Sequence, residues 1–241
     1  MTPFWVTGFV DLAPESYDAG LAFWRDVTGW EVSPRRGGAG EFVSLMPRSG
    51  GDHLRVQRLA AGPSRVHLDL HVDDPRSAAD RATTLGAEVV AAPGHIVLRS
   101  PGGFTFCFVS HRSGEPAPAS TWPGGHRSLV DQVCLDIPEQ SFDDEVEFWL
   151  AVTGRELVES IRPEFARLRR PADQGLELLV QRLEEPTGTV RGHLDLGCSD
   201  RAAETERHLS LGAGRVEAYD SWTVLTDPAG SPYCITDREP R

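Results

Sequence analysis

The chain repeats itself. Residues 10–31, VDLAPESYDAGLAFWRDVTGWE, align without a gap with residues 135–156, LDIPEQSFDDEVEFWLAVTGRE, at an offset of 125 and with nine identities in 22 positions. The matches then continue in order: VQRL at 56–59 and 180–183, HLDL at 67–70 and 193–196, LGA at 85–87 and 211–213, and Cys107 with Cys234. A sequence of 241 residues that repeats over so much of its length folds as two copies of one unit, not as one large core. The expected division is 1–112, a Pro/Gly/Ser-rich linker at 113–127, and 128–241.

Within each half the hydrophobic period alternates. Trp5 to Leu12 has strand composition; Phe23, Trp24 and Val27 then recur at helical spacing, with Ser16 and Asp18 placed to cap and Gly29 to stop the helix. Three short strand candidates follow, separated by glycine turns such as Arg36-Gly37-Gly38. Val66 starts the same order again, with Asp74 as the cap of its helix. The pattern is βαβββ, twice in each half and four times in the chain.

Composition narrows the function. The 36 acidic residues outnumber the 24 basic ones, giving a formal charge of -12, so a nucleic-acid partner is excluded. All the basic residues are arginine, and Lys and Asn are absent, the bias of a GC-rich bacterial genome. No apolar run reaches the ~18 residues of a membrane span, and the first twenty residues lack a secretory signal, so a cytoplasmic protein is expected. Cys107, Cys134, Cys198 and Cys234 have no zinc-type spacing and are expected as reduced thiols. No nucleophile elbow, zinc-protease motif or phosphate-binding glycine loop is present.

Side chains two apart on a strand share a face, so His67, Asp69 and His71 point one way, as do His193 and Asp195. Each His–Asp pair is either a binding group, the carboxylate polarising the imidazole, or two buried polar groups satisfying one another. Asp11 and Asp136 match across the repeat and either face inward or end their strands. Trp24 and Trp149 are equivalent and belong to the core. Trp5, Trp30, Trp122 and Trp222 have no counterpart, which makes Trp5 and Trp222 the candidates for ligand contact.

The run F-W-x-x-V-T-G, the HLDL openings, L-G-A after the helix and Asp227-Pro228-Ala229-Gly230 before the last strand together resemble the vicinal oxygen chelate superfamily, in its glyoxalase-like branch. The resemblance implies an α+β fold in which paired βαβββ modules make half-open barrels. It also implies inward positions at Thr7, Gln57, His67 and Cys107, and at Gln132, Gln181, His193 and Cys234. Relatives that bind a metal carry a carboxylate at the last-strand position, where this chain has cysteine twice. No cofactor is therefore expected; a divalent ion, if held, would use Gln132 and His193. The cysteines are either small apolar fillers or thiols paired with His67 and His193 for catalysis.

Two functions follow: metal-free binding or sequestration of a small molecule, as in bleomycin-resistance proteins, or a metal-dependent lyase, isomerase or dioxygenase. The second half, which keeps Gln132 where the first has Thr7, is expected to carry the function. The assembly is expected to be a monomer with an internal pseudo-dimer, or a homodimer.

Overall fold

In the computed structural model, which describes residues 2–92, 95–111 and 114–241, each half of the repeat forms one open sheet. The first half runs β1 (Trp5–Leu12), α1 (Tyr17–Thr28), β2 (Glu31–Val32), β3 (Phe42–Met46), β4 (Leu54–Arg58), β5 (Arg65–His71), α2 (Pro75–Thr84), β6 (Glu88–Ala91), β7 (Ile96–Arg99) and β8 (Thr105–Val109). After a short strand β9 (Ser120–Thr121), the second half runs β10 (Arg127–Pro138), a 3-10 turn, α3 (Phe142–Thr153), β11 (Leu157–Glu159), β12 (Phe165–Leu168), β13 (Glu177–Leu183) and β14 (Arg191–Cys198). It ends with α4 (Arg201–Ser210), β15 (Gly214–Ala218), β16 (Trp222–Thr226) and β17 (Pro232–Thr236). The strand orders are β2-β3-β4-β1-β5-β8-β7-β6 and β11-β12-β13-β10-β14-β17-β16-β15. They are one topology written twice, so the expected four βαβββ modules and the α+β class are what the chain forms.

The linker holds structure of its own. Ser120 and Thr121 pair with Ser128 and Arg127 in an antiparallel ribbon, while Ser113 lies outside the described residues.

The helix ends follow from local chemistry. Gly29 stops α1 in the left-handed conformation at φ 67°, and Gly154 stops α3 at φ 63°, conformations that cost a side-chain-bearing residue about 1 kcal/mol or more. The Asp74 side chain accepts from the Ser77 amide at 3.1 Å, capping α2 as expected; Asp200 caps α4 in the same way. Ser16 corrects the expectation. It occupies the N-cap position of α1 but its hydroxyl donates to the Ala13 carbonyl, leaving the helix amides without a side-chain cap.

The chain's contacts group it into two compact units that do not follow the repeat. One comprises Met1–Gly8, Val66–Ser113 and Val133–Gly192; the other comprises Phe9–Arg65, Gly114–Gln132 and His193–Arg241. In the first, Trp149 of α3 packs edge-on against Phe104, Phe106 and Phe148, and its indole donates to Glu145 at 2.8 Å. Glu145 in turn accepts from the Gly102 amide. In the second, Trp24 of α1 packs against Phe23 and Tyr233, and its indole donates to Asp227 at 3.0 Å. Asp227 also accepts from the Ala229 and Ser231 amides, both at 2.9 Å.

The same need is thus met twice by different residues. A buried indole and a turn amide share one carboxylate, supplied by the helix in the first unit and by the Asp-Pro turn in the second. Burial holds both carboxyls above their ordinary range, a sign that each is desolvated. Asp227→Ala leaves an indole and two amides without their acceptor, and we expect a loss of about 2–3 kcal/mol in urea unfolding; a loss below about 1 kcal/mol would mean that water replaces the carboxylate.

Candidate functional site

Parallel pairing builds the candidate sites. Strands β5 and β8 run parallel with Asp69 opposite Cys107, and β14 and β17 run parallel with Asp195 opposite Cys234. Neighbouring strands lie ~4.8 Å apart and side chains two apart share a face, so each histidine, aspartate and cysteine converge. Both trios are buried.

In the first compact unit, His67 Nε2 lies 3.7 Å from Asp69 Oδ1, and the nitrogen, oxygen and sulfur donor atoms of His67, Asp69 and Cys107 all lie within 4.8 Å of one another. Burial pushes the Cys107 thiol up, and the hydrogen bond with His67 only partly opposes that, so the sulfur stays protonated at neutral pH. His71 shares the face, as its spacing requires, but it is engaged: Nδ1 donates to the His111 carbonyl at 2.6 Å, which leaves Nε2 to accept from the Thr7 hydroxyl at 2.9 Å. Thr7 is thereby a partner of His71.

In the second unit the trio is tighter. His193 Nε2 lies 3.3 Å from Asp195 Oδ1 and 3.6 Å from Cys234 Sγ. One nitrogen faces both groups, and it cannot serve both. Asp195 Oδ1 is buried and receives no hydrogen bond from the described residues, although an imidazole nitrogen is close. If the thiol donates to Nε2, a nitrogen lone pair and a carboxylate oxygen face each other; if Nε2 carries the proton, it is not aimed at the carboxylate. Either way a buried acceptor is left over, at a cost of about 1–3 kcal/mol.

The His67, Asp69 and Cys107 donor atoms form a set that could hold a divalent ion. In the second unit, His193 and Asp195 could hold one between them, since their donor atoms stand 3.3 Å apart, close to the spacing of about 3.3 Å that tetrahedral coordination with bonds of about 2.0 Å requires. The carboxylate missing from the last strand is supplied two residues after the histidine.

The other expected positions are scattered in role. Gln132 is buried, with Oε1 3.4 Å from the Arg238 guanidinium that also clamps Asp131 through two 2.7 Å bonds. Gln181 is half-buried and accepts from the Cys134 thiol at 3.9 Å, and Cys134 also lies 3.8 Å from Asp136. Gln57 is half-buried opposite Phe42. Asp11 is buried and accepts from Arg65 at 3.0 Å. Trp222 shares a sheet face with Cys234, because Trp222 pairs with Thr236 and Val224 with Cys234 in β16–β17, and it stacks on Tyr219 at 4.5 Å. Trp5 is 1% exposed, a core residue and not a ligand platform.

A buried polar cluster on α4 escaped the sequence reading. Glu204, fully buried, accepts from Ser128 at 2.6 Å, Arg207 at 2.7 Å, His126 at 2.9 Å and His208 at 3.0 Å. The His208 Nδ1 faces the Tyr233 hydroxyl at 2.9 Å. Burial alone would raise the Glu204 carboxyl; the bonds from Arg207 and His208 reverse that and hold it far below the usual range. Burial keeps His208 neutral by lowering it. The only signal in the sequence was Glu204 spaced three and four from Arg207 and His208, the pattern of an ordinary surface pair.

A family profile described as glyoxalase-like domain matches residues 9–109 and again residues 132–236. No curated protein sequence matches the chain. Among solved structures it is similar to a Mn(II)-bound glyoxalase from Novosphingobium aromaticivorans, at 18% identity over 95% of this chain and 80% of that one, with a TM-score of 0.64. It is similar to a 2,3-dioxygenase from Pseudomonas sp. KL28, at 12% identity over 95% and 90%, TM-score 0.64. It is also similar to 2,2',3-trihydroxybiphenyl 1,2-dioxygenase from Sphingomonas wittichii RW1, at 14% identity over 95% and 88%, TM-score 0.61. At these identities the likeness is one of fold.

Proposed function

Because the chain belongs to the glyoxalase-like domain family of the vicinal oxygen chelate superfamily, in two tandem copies, we propose that it binds a small oxygenated molecule against the His193–Asp195–Cys234 face and holds it without a metal. The observation that carries this reading is Asp195 Oδ1, buried beside His193 with no hydrogen-bond donor among the described residues. A ligand hydroxyl placed there satisfies the orphaned acceptor, and His193 offers a second polar contact. Cys107, whose thiol burial keeps neutral, marks the equivalent first-half face as one that presents a protonated sulfur and not a thiolate.

One observation favours a second reading, a metal-dependent lyase, isomerase or dioxygenase. The 3.3 Å separation suits a divalent ion held by His193 and Asp195, with open positions for substrate. An ion bound there would polarise a ligand oxygen as a Lewis acid. In that reading His193 and Asp195 would hold the ion.

Catechol, chosen because several structural relatives are ring-cleaving dioxygenases, is the probe. We expect catechol to bind protein stripped with chelator as well as it binds untreated protein, and Asp195→Asn to weaken binding by about 10- to 100-fold, the worth of a hydrogen bond to a charged acceptor. Near-stoichiometric zinc, iron or manganese in the purified protein, with catechol binding lost on chelation, would replace the first reading by the second.

A further inference from the structure

A cleft lies outside the His–Asp–Cys faces. It lies within the second compact unit, between the turn after α1, the loop joining β3 to β4, and the linker. Its volume is about 370 Å³, and its walls include Trp30, Pro47, Pro118 and Trp122, with Arg48 and Ser49 among the lining residues. None of these residues takes part in the sites described above.

The cleft is formed in advance of any ligand. The linker is laid against the β3–β4 loop by the Gly51 amide, which donates to the Glu115 carbonyl at 2.6 Å, and by a parallel bridge between Gly51 and Pro116. Gly50 permits that approach, since a Cβ there would stand 2.7 Å from the Ala117 Cα. The Ser120 hydroxyl donates to the Thr28 carbonyl at 2.7 Å and fixes the other wall. Trp122 is oriented by its indole bond to Ser128 at 2.8 Å and by the Arg207 guanidinium, 3.5 Å over its ring. Neither tryptophan is demanded by the shared fold: the second half has Arg155 where the first has Trp30, and Trp122 belongs to the linker.

The chemistry of the lining selects the ligand. The half-buried Trp122 indole and two prolines offer apolar, flat surface, with buried Trp30 closing the floor, which suits an aromatic ring. Arg48 is exposed and makes no ion pair or hydrogen bond among the described residues, in a chain of charge -12 where acidic partners are plentiful. A guanidinium left open beside an aromatic wall matches a carboxylate, which it can bind through two parallel N–H bonds. A volume near the lower end of ligand pockets, roughly 300–1,000 Å³, fits one or two fused rings. We propose that this cleft binds a planar aromatic monocarboxylate, its ring against Trp122 and its carboxylate on Arg48.

The test uses the full chain and 2-naphthoate, followed by quenching of tryptophan fluorescence, with 2-naphthalenemethanol as the neutral analogue. The expected result is saturable binding of 2-naphthoate that weakens about ten-fold or more in Arg48→Gln, weakens as far for the neutral analogue, and loses most of its quench amplitude in Trp122→Phe. Arg48 is exposed, so thermal unfolding of Arg48→Gln should match the wild type. Asp195→Asn should leave 2-naphthoate affinity unchanged, which separates this site from the catechol site. Absence of saturable binding, equal affinity in Arg48→Gln, or loss in Asp195→Asn would overturn the proposal.

Discussion

Glu204→Ala should destabilise the protein by about 3–5 kcal/mol, the largest loss we expect from one substitution. The carboxylate is fully buried and receives five hydrogen bonds from four residues, two of them from Arg207 and one each from Ser128, His126 and His208. Removing it strands the Arg207 guanidinium, which also donates to the Asp26 and Val27 carbonyls at the end of α1 at 3.0 and 2.8 Å. A cation held in place without its anion carries most of the cost. The same cluster sets the pH dependence. His208 is lowered from its ordinary 6.5 by burial, so between that value and its folded value the unfolded chain takes up a proton that the folded chain refuses, and stability falls as pH drops below 6.5. Glu204 is lowered from 4.5, so its contribution is complete above 4.5 and is lost on further acidification. Denaturant unfolding across pH 7.5 to 4 measures this. Stability that rises on acidification, or a Glu204→Ala loss below about 1 kcal/mol, would show that the cluster is wet.

The fold was legible because each module must repeat the same apolar pattern. The βαβββ order, the Gly29 and Gly154 stops and the Asp74 cap could be read from local chemistry. So could the shared face of His67 with Asp69 and of His193 with Asp195, since strand alternation fixes it. What could not be read was anything set by register between distant strands. The placement of Cys234 opposite Asp195 is decided by β17 aligning parallel to β14, with His193 and Cys234 41 residues apart in sequence. That register sets the Asp195 carboxylate, expected as the partner of His193, across from the cysteine of the last strand. Trp5 was misjudged for the same reason: what covers a strand residue depends on the elements packed over it. Glu145 and Glu204 have the spacing of surface helix residues, yet a turn amide and a guanidinium that meet them make each a buried anchor. Ser16 failed as a cap because its hydroxyl found the Ala13 carbonyl nearer.

The Cys198 thiol should be all but inert in the folded protein, and Cys107 should be slowed as well. All four cysteines are free and buried, and burial pushes Cys198 up to about 12 and Cys107 up as well. A thiol of that acidity has ~10³-fold less thiolate at neutral pH than an unperturbed cysteine near 8.5, and alkylation proceeds through the thiolate. Cys198 in native protein should therefore react with iodoacetamide about 10³-fold more slowly than in denaturant, read by peptide mapping of the alkylated sites. The result bears on the reading of the site. If Cys234 only fills space beside His193, Cys234→Ala costs about 1 kcal/mol, less than the ~2–5 of a buried Leu→Ala, and changes catechol affinity by no more than a few-fold. If the sulfur is a nucleophile or a metal-bound thiolate, it must exist as the anion in the folded state, and the same substitution abolishes activity or metal content. Rapid native-state alkylation of Cys234 that catechol blocks would therefore require an exposed, activated thiolate, and would transfer the function from a binding site to a catalytic one.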